Sequence, residues 1–597
     1  MLRRTTSRRL LLLACLYACG SEQDRGAAAG LDGLDLRADA NRDGEIRFDE
    51  SDANKTEWNE KVGAVFLANI DDDGRRCRPS PNDLEIARCN DAEDDIINGE
   101  EDARDLAHLE TRPWPQPPED AVGRVTVAPE AARGRVRLFH RRGATAIDYA
   151  AVTDETVFSR EELVAGVGLA IEATDIVRDP AIWDGYVDVR FTVGSSAHGE
   201  VTDTVRMRVA PVLMYHHLLP AETVWVPNGR TEAYREVNDA LARSSSKAGI
   251  ETKSLGADDL WVQDFFEPAF MSMPGPGGSQ HVIRVNYRSA NVWQPSKKQT
   301  PLRPAGQIVF ALRGVDVAAV QQFDIEHPRP MDGLNSTGNF ETVPPYEKDG
   351  VAFPFGRVLR GSTPSFFPDK SFGRMLEAQR QQPPIDVDTS WLHVGHVDET
   401  LSFVKAPTPR GWVLLVNDSR LARKMLDDAV TGGHGDVPMF VGKSWIDLST
   451  NETWPAEVKI KDVLADTVVM QASAEAAVEV DAQVAVLQKE IGLADDEIVA
   501  VPFLHTVHNG KLIAYQPGTV NGLYAASDRF AAPDPHGPVI DGKDIFKEAL
   551  AAPLRKIGIE VDWIENWDTY HRLLGEVHCS SNATRKIPEA RWWESGR

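Results

Sequence analysis

The segment from about residue 124 to residue 213 alternates between apolar and polar side chains, and this alternation constrains the fold more than any other feature of the chain. A period of two places one face of a strand in a core and the other in water, and Gly, Asp and Ser between such runs are typical of turns. We therefore predict a β-sandwich whose strands include Arg135–His140, Val187–Val193 and Thr204–Val209.

After Pro211 the pattern changes, and predicted strands and helices alternate to the end of the chain. A chain of 597 residues is too long for one ordinary domain. We place a boundary after residue 213, so that a β-domain at 31–213 precedes an α/β domain at 214–597. The predicted helices of the second domain include Thr231–Lys247, Ser371–Gln381 and Glu475–Glu490.

The charge of the chain excludes one class of partner and favours another. The sequence has 65 Lys and Arg against 91 Asp and Glu, a net charge of −26 at pH 7. Such a chain has no basic field that could neutralise phosphates, so we expect no nucleic-acid partner. An acidic chain suits cations instead, either calcium or a positively charged substrate.

The first residues are typical of an export signal. Four arginines precede the apolar run Leu10–Cys19, which is too short to cross a bilayer. Leu16–Cys19 resembles the lipobox of bacterial lipoproteins, with Cys19 as the lipidated residue; Cys15 is a weaker candidate, and a simply cleaved signal is the alternative. We expect a lipoprotein-type signal peptide at 1–19, a linker at 20–30 and an exported chain, either secreted or held at the cell envelope. Later hydrophobic runs are too short for a membrane span.

Residues 32–105 are rich in carboxylates, and the first acidic run matches a twelve-residue calcium loop at every defined position. Calcium prefers six to eight hard oxygen ligands, and alternate side chains on a tight Gly turn converge on one point. The apolar stretch Val65–Ala68 behind the loop looks like a strand, so we do not expect a helix–loop–helix arrangement. The expected ligands are Asp39, Asn41, Asp43, Glu45 and Glu50.

A second acidic run supplies Asp71 and Asp73, and a third begins at Asn90. For all three runs the alternative is a solvated acidic face with no bound ion. Cys77 and Cys89 flank the loop between the second and third runs. In an oxidising envelope they would form a disulfide, and two unpaired structural thiols are the alternative.

Three segments of the second half carry the residue types of nucleophilic catalysis: Trp261–Glu267, Val394–Glu399 and Gly575–Asn582. Cys579 is the lone cysteine of this half, which fits a nucleophilic thiol assembled by folding with distant His and Asp residues. A buried structural thiol is the alternative for Cys579 alone, and a core histidine is the alternative for His396 alone. If 394–398 is a strand, His396, Asp398 and Val394 share one face and reach one pocket.

These segments and others in the same order resemble the protein-arginine deiminases, which are calcium-dependent members of the guanidino-group-modifying (pentein) superfamily. The resemblance covers about residues 31 to 597 and implies an immunoglobulin-like calcium-binding β-sandwich followed by an α/β-propeller catalytic domain. It also leaves a homodimer open. The motifs are Gly63–Asp73, Val209–Pro211, Trp261–Glu267, Gly338–Glu341, Gly395–Glu399, Gly433–Gly435, Gly537–Gly542, Tyr570–His571, Gly575–Cys579, Arg585–Lys586 and Trp592–Trp593.

The chemistry implied by the resemblance is the hydrolysis of an arginine guanidinium in a peptide or protein to citrulline and ammonia. A guanidinium carbon is a poor electrophile, so the catalyst needs carboxylates to grip the planar cation, a thiolate to attack it and an acid for the departing nitrogen. Asp264 and Asp398 fit the first role. Cys579 fits the second, through a thiouronium intermediate, and His396 fits the third.

Other residues take their roles from the resemblance alone. Trp261 would pack on the aliphatic stem of the substrate, with a core tryptophan as the alternative. Val394 would contribute to the substrate pocket, and Arg288 would replace an arginine that grips the substrate backbone. A catalytic-domain calcium would be held by Gln263, Glu267 and Glu341 with the backbone carbonyls of Thr337 and Phe340. On an extended segment Gln263 and Asp264 face opposite ways, so an ion on one would fix the other. Phe265, Asn286-Tyr287 and Leu573 depart from the family pattern, which puts a second calcium in this domain and the peptide preference in doubt.

Two other functions stay open at this point. A deiminase of a small guanidine, such as free arginine or agmatine, would use the same four catalytic residues. A non-catalytic envelope protein that binds calcium and peptides would have no need of the Cys579 thiol.

Overall fold

A computed structural model describes residues 31–597 except 144, 146, 327–332, 365–367 and 448. The predicted signal peptide and linker lie outside the described residues. Within the described part of the chain, no helix is both long and apolar enough to cross a membrane.

The first half contains two sheets whose inner faces share one core, as the alternation predicts. Leu138 and Ile171 of one sheet and Val189 and Phe191 of the other are buried in the same cluster. Short helices Asp83–Arg88, Glu100–Arg104 and Arg160–Ala165 lie in the connections. The first sheet has the strand order Leu36–Ala38, Ala107–Thr111, Gly168–Ala173, Val136–Arg141, Tyr149–Ala151, and the second has the order Ala64–Phe66, Gly199–Val209, Tyr186–Ser195, Val122–Ala128.

The second half repeats one strand pattern five times. In each repeat a first strand pairs antiparallel with a second strand, and the second pairs parallel with a third. In the order first, second, third, the strands are Phe266–Gly275, Ser279–Arg288, Val317–Val320; Phe340–Val343, Arg357–Ser362, Ile385–Asp388; Leu401–Lys405, Trp412–Asp418, Ile498–Pro502; Leu523–Ala526, Arg529–Pro533, Glu560–Ile564; and Asn582–Arg585, Ala221–Pro227, Glu251–Leu255.

Helices connect the second strand of each repeat to the third, because a parallel pair needs a crossover connection. Helices are present at the three predicted places, but the second ends earlier than predicted, at Ala378, and the third begins earlier, at Thr467. The crossover helices are Glu232–Lys247, Ile308–Leu312, Lys370–Ala378, Ser419–Thr431 with Ile460–Ala465 and Thr467–Ile491, and Ile545–Lys556.

Short pairings complete the second half. Leu213–Met214, which straddles the predicted domain boundary, pairs with Phe266–Gly275. The remaining strands form two-stranded ribbons: Tyr346–Lys348 with Val351–Phe353, Pro438–Met439 with Val458–Lys459, Ser444–Ile446 with Thr453–Pro455, His505–His508 with Lys511–Ala514, and Val539–Ile540 with Lys543–Asp544.

The fifth repeat combines strands from the beginning and the end of the second half. Its second and third strands, Ala221–Pro227 and Glu251–Leu255, come first in the domain, whereas its first strand, Asn582–Arg585, comes last. The strand that completes this sheet therefore lies three residues after Cys579.

Candidate active site

The residues just before the first strand of each repeat meet at one site. Asp264 lies before Phe266–Gly275, Asp398 before Leu401–Lys405, and Cys579 before Asn582–Arg585. Residues that are far apart in the sequence come together because they hold equivalent positions in repeated units.

The four predicted catalytic residues lie in this site. The Cys579 sulfur is 3.9 Å from Oδ2 of Asp398, and Nδ1 of His396 is 3.8 Å from Oδ1 of Asp264. The two pairs are linked through the backbone, because the N–H of Gln263 donates to the carbonyl of Cys579 over 3.1 Å.

Two local predictions about this site are wrong. Residues 394–398 do not form a strand, since Val397–Glu399 is a 3-10 turn with His396 at its N-terminus. The segment around Gln263 is not extended either, because Val262–Asp264 is also a 3-10 turn. Both turns reverse the chain at the entrance to a strand, and in such a turn neighbouring side chains point about a third of a revolution apart. Gln263 and Asp264 still reach different partners, but the turn geometry separates their side chains, not an extended backbone.

A third turn, Thr337–Asn339, packs between these two and has a glycine, Gly338, at the point of contact. A Cβ atom on Gly338 would lie 2.7 Å from Nδ1 of His396 and 2.9 Å from Oδ1 of Asp264. Real Cβ atoms essentially never show such distances, so a side chain at this position would displace His396 or Asp264. Its neighbour Asn339 accepts a hydrogen bond from the N–H of Val397 over 3.1 Å and so holds the His396 turn in place.

The thiol of Cys579 faces hydrogen-bond acceptors. Cys579 is the free cysteine of the described residues and is partly exposed. Its sulfur lies 3.4 Å from Oδ1 of Asn521, whose amide nitrogen donates to the carbonyl of Asp398 over 3.0 Å. Burial, followed by the carboxylates of Asp398 and Asp264, raises the pKa of the Cys579 thiol well above its usual range. The resting group is therefore a neutral thiol.

The sequence analysis missed Asn521 and Glu399. Asn521 lies just before the first strand of its repeat, as Asp398 does in its own, and this equivalence is a signal that only the strand order reveals. Glu399 lines the same pocket as Cys579. One of its oxygens accepts from the N–H groups of Gly395 and His396, and burial raises its pKa to about 7.

Two of the three predicted substrate-binding residues lie at the pocket. Val394 lines it together with Cys579. Trp261 packs on Gly575, another lining residue, so closely that a Cβ there would meet the indole ring at 2.2 Å.

The prediction for Arg288 is wrong. Its side chain is fully buried and forms a 2.6 Å ion pair with Asp83, a residue of the first half of the chain. A guanidinium enclosed in this way cannot reach a peptide substrate. Arg288 instead joins the two halves of the molecule.

The predicted catalytic-domain calcium residues are brought together as a buried cluster. The amide of Gln263 donates to Glu267 over 3.1 Å, and burial followed by the charge of Glu341 raises the pKa of Glu267 well above its usual range. Thr337 and Phe340 belong to the adjoining turn and strand, with the Thr337 hydroxyl donating to the carbonyl of Gln263 over 2.6 Å. Two carboxylates and an amide buried at one point suit a hard cation.

Glu341 has two histidine neighbours. Nε2 of His217 is 3.0 Å from Glu341, and Nε2 of His578 is 3.6 Å from it. His578 also contacts Asp398 over 2.8 Å through Nδ1. The predicted metal cluster is therefore connected to Asp398 through His578, the residue beside Cys579.

The first acidic loop holds only part of its predicted ligand set. Asp39 accepts from the N–H groups of Asp43 and Gly44, and Asn41 accepts from Asp43, so these three side chains surround the turn. Burial raises the pKa of Asp39 to about 6. Glu45 and Glu50 are exposed, and Glu45 shares the guanidinium of Arg47 with Asp43.

The second acidic run forms a tighter cluster. Ligand oxygens of Asp71, Asp73 and Asp105 lie within 4.8 Å of one another, and both oxygens of Asp71 are buried without a hydrogen-bond partner. Burial raises the pKa of Asp71 well above its usual range and that of Asp73 to about 6. The disulfide Cys77–Cys89 is present beside this run. Unpartnered buried carboxylates at one point suit a divalent cation.

The repeated fold brings a thiol, a histidine and two carboxylates together, and these are residue types of nucleophilic catalysis. A sequence model of the family described as "Protein-arginine deiminase (PAD)" matches residues 200–594. The chain belongs to this family, whose members are hydrolases that act on carbon–nitrogen bonds.

Individual relatives agree with the family match. The chain is 28% identical to human protein-arginine deiminase type-1 over 608 residues, which covers 96% of this chain and 85% of the relative. It is 31% identical to the human type-3 protein over 409 residues, covering 67% of this chain and 57% of the relative. A solved agmatine deiminase of Enterococcus faecalis aligns over 63% of this chain and 96% of its own at 12% identity, with a TM-score of 0.34, and this likeness is too distant to carry an argument.

Proposed function

We propose that this chain hydrolyses the guanidinium group of arginine in peptides or proteins, in a calcium-dependent reaction that releases citrulline and ammonia. The observation that carries the proposal is the meeting of Cys579, His396, Asp264 and Asp398 at one site in a member of this family. Thiol, acid and paired carboxylates are the groups that this reaction needs.

The two carboxylates bind the substrate cation. Asp398 and Asp264 approach the pocket from different turns, so a planar guanidinium between them donates hydrogen bonds to both. The ring of Trp261 and the side chain of Val394 pack on the aliphatic stem. Citrulline is neutral, so the product loses the charge attraction and leaves.

Cys579 forms the covalent intermediate. A bound cation beside the sulfur favours its ionised form and offsets the carboxylates that raise the thiol pKa. The thiolate attacks the guanidinium carbon and forms the S–C bond. The C–N bond then breaks, with His396 donating the proton that lets nitrogen leave as ammonia. His396 next removes a proton from water, which attacks the thiouronium carbon, and the S–C bond breaks to release citrulline and the thiol.

Calcium would be held at the buried clusters described above. Gln263, Glu267 and Glu341 would hold one ion, and Asp71, Asp73 and Asp105 another. A bound ion would neutralise these like charges and so stabilise the turn that carries Asp264.

Citrulline formation by the chain lacking residues 1–19 tests the proposal. A blocked arginine peptide, free arginine and agmatine are compared, each with calcium and with chelator, beside Cys579→Ala. We expect calcium-dependent turnover of the peptide that is lost in the variant. Turnover of free arginine or agmatine alone would support guanidinium hydrolysis and would refute the proposal that the substrate is a peptide. If the folded, calcium-loaded protein formed no citrulline from any of these substrates, the proposed activity would be refuted.

A further inference from the structure

Arg303 is a buried cation in contact with the candidate active site. Its NH1 group donates to Oδ2 of Asp264 over 2.7 Å. The side chain is only 6% exposed. One of the two carboxylates that would grip a substrate guanidinium is thus already bound to a guanidinium of the chain itself.

Arg303 is held rigidly from behind. Its Nε and NH2 groups form a forked pair with the carboxylate of Asp259, over 2.7 Å and 2.8 Å. The ring of Trp293 lies 5.0 Å from the guanidinium carbon, and the backbone N–H donates to Asn291 over 2.8 Å. A forked, stacked guanidinium loses little conformational freedom on making a third hydrogen bond. Arg303 is therefore a hydrogen-bond donor held in a fixed position beside Asp264.

The two oxygens of Asp264 therefore have different surroundings. Oδ2 is occupied by Arg303, whereas Oδ1 points towards His396 and Gly338, on the side of the reacting groups. If Arg303 were absent, the carboxylate could rotate and Asp259 and Asp264 would lack their shared counter-charge.

We propose that Arg303 is a positioning residue for the reaction: it fixes the plane of Asp264 and leaves one oxygen, Oδ1, for the substrate cation. This inference rests on the proposed function for its substrate. It assigns a role to an arginine that lies 39 positions from Asp264 and outside the motifs of the sequence analysis.

Steady-state kinetics on the blocked arginine peptide with calcium test the proposal. We expect Arg303→Ala to lower kcat by about tenfold to a hundredfold while KM changes less than threefold, because a misplaced carboxylate misaligns a substrate that it still attracts. Arg303→Lys keeps the charge and should recover part of kcat. Asp259→Asn, which loosens the fork, should lower kcat in the same way.

Arg410→Ala is the matched control. Arg410 is also largely buried, pairs with Glu497 over 2.9 Å and lies 5.2 Å from the ring of Trp412, but none of its contacts is a predicted site residue. Its kcat should stay within threefold of the wild type. A wild-type kcat in Arg303→Ala would overturn the proposal, and so would a lower KM with unchanged kcat, because Arg303 would then compete with the substrate.

Labelling of Cys579 tests the proposal without turnover. 2-Chloroacetamidine and 2-chloroacetamide both form an S–C bond with loss of chloride, but only the amidine is a planar cation. The ratio of their rates should exceed one in the wild type and fall at least tenfold in Arg303→Ala, with the amide rate within threefold. An unchanged ratio, or a wild-type ratio of one, would overturn the proposal.

The two failures are distinguishable. Absence of citrulline from the wild type would refute the proposed function, while the labelling ratio still decides the role of Arg303. If Arg303→Ala does not fold, Arg303→Lys and Asp259→Asn take its place in both measurements, and wild-type behaviour of both would overturn the proposal.

Discussion

At the scale of single residues, the ionisation of Cys579 is set by its negative neighbours. Burial and then Asp398 raise the thiol pKa, so the thiolate fraction at neutral pH is smaller than for a free cysteine and grows as the pH rises. We expect Asp398→Asn to lower this pKa and to speed labelling of Cys579 by 2-chloroacetamide at pH 8 several-fold, although turnover is lost. Mass spectrometry measures the rate, and Asp481→Asn, at an exposed position of the helix Thr467–Ile491, is the control. Slower labelling of Asp398→Asn would contradict this account.

The sequence predicted residues at this scale where the family resemblance and the chemistry that it implies agree. Cys579, His396, Asp264 and Asp398 have the residue types that a guanidinium reaction needs, and the structure places all four in one site. The positions of Arg288 and Arg303 relative to the site could not be predicted in this way. Both are buried arginines paired with aspartates, and which of the two contacts the site depends on packing between distant segments.

At the scale of elements, the site is built from turns at equivalent points of five repeats. We expect Gly338→Ala to lower kcat at least a hundredfold while the protein stays folded, because the new methyl group would press on His396 and Asp264. Circular dichroism checks the fold and the citrulline assay checks kcat. Gly194→Ala is the control, since a Cβ there meets only the Glu200 side chain at 3.6 Å. Full activity of Gly338→Ala would refute this close packing.

The helices and sandwich strands could be predicted from sequence because their periodicity is local. The five repeats could not, since each is defined by pairing between strands rather than by repeated residues. The predicted strand at 394–398 failed for a related reason. Five residues alone do not distinguish a strand from a turn, and here Glu399 accepts from two backbone N–H groups and stabilises a turn.

At the scale of the whole molecule, the two halves share one hydrophobic core. Residues of the sandwich and of the first repeats belong to the same buried cluster, and Trp592 stacks on Trp58 with ring centres 5.7 Å apart. Arg42, inside the first acidic loop, donates to the carbonyl of Trp593 over 2.9 Å. An ion bound in that loop would therefore also stabilise the packing of the C-terminus.

Stability should depend on pH in opposite directions with and without calcium. Burial raises the pKa of Asp39 and of Asp73 to about 6, so the folded chain binds protons more tightly than the unfolded chain, whose aspartates titrate near pH ~4. Without calcium this contribution is complete below about pH 4 and is lost as the pH rises through about 6. Calcium binds the ionised carboxylates and so stabilises the folded chain more at high pH.

We expect Tm in chelator to be lower at pH 8 than at pH 5, and the gain in Tm on adding calcium to be larger at pH 8. Asp71→Asn should raise Tm in chelator at pH 8 and shrink the calcium gain, whereas an equal calcium gain at both pH values, unchanged in the variant, would show that these carboxylates hold no ion.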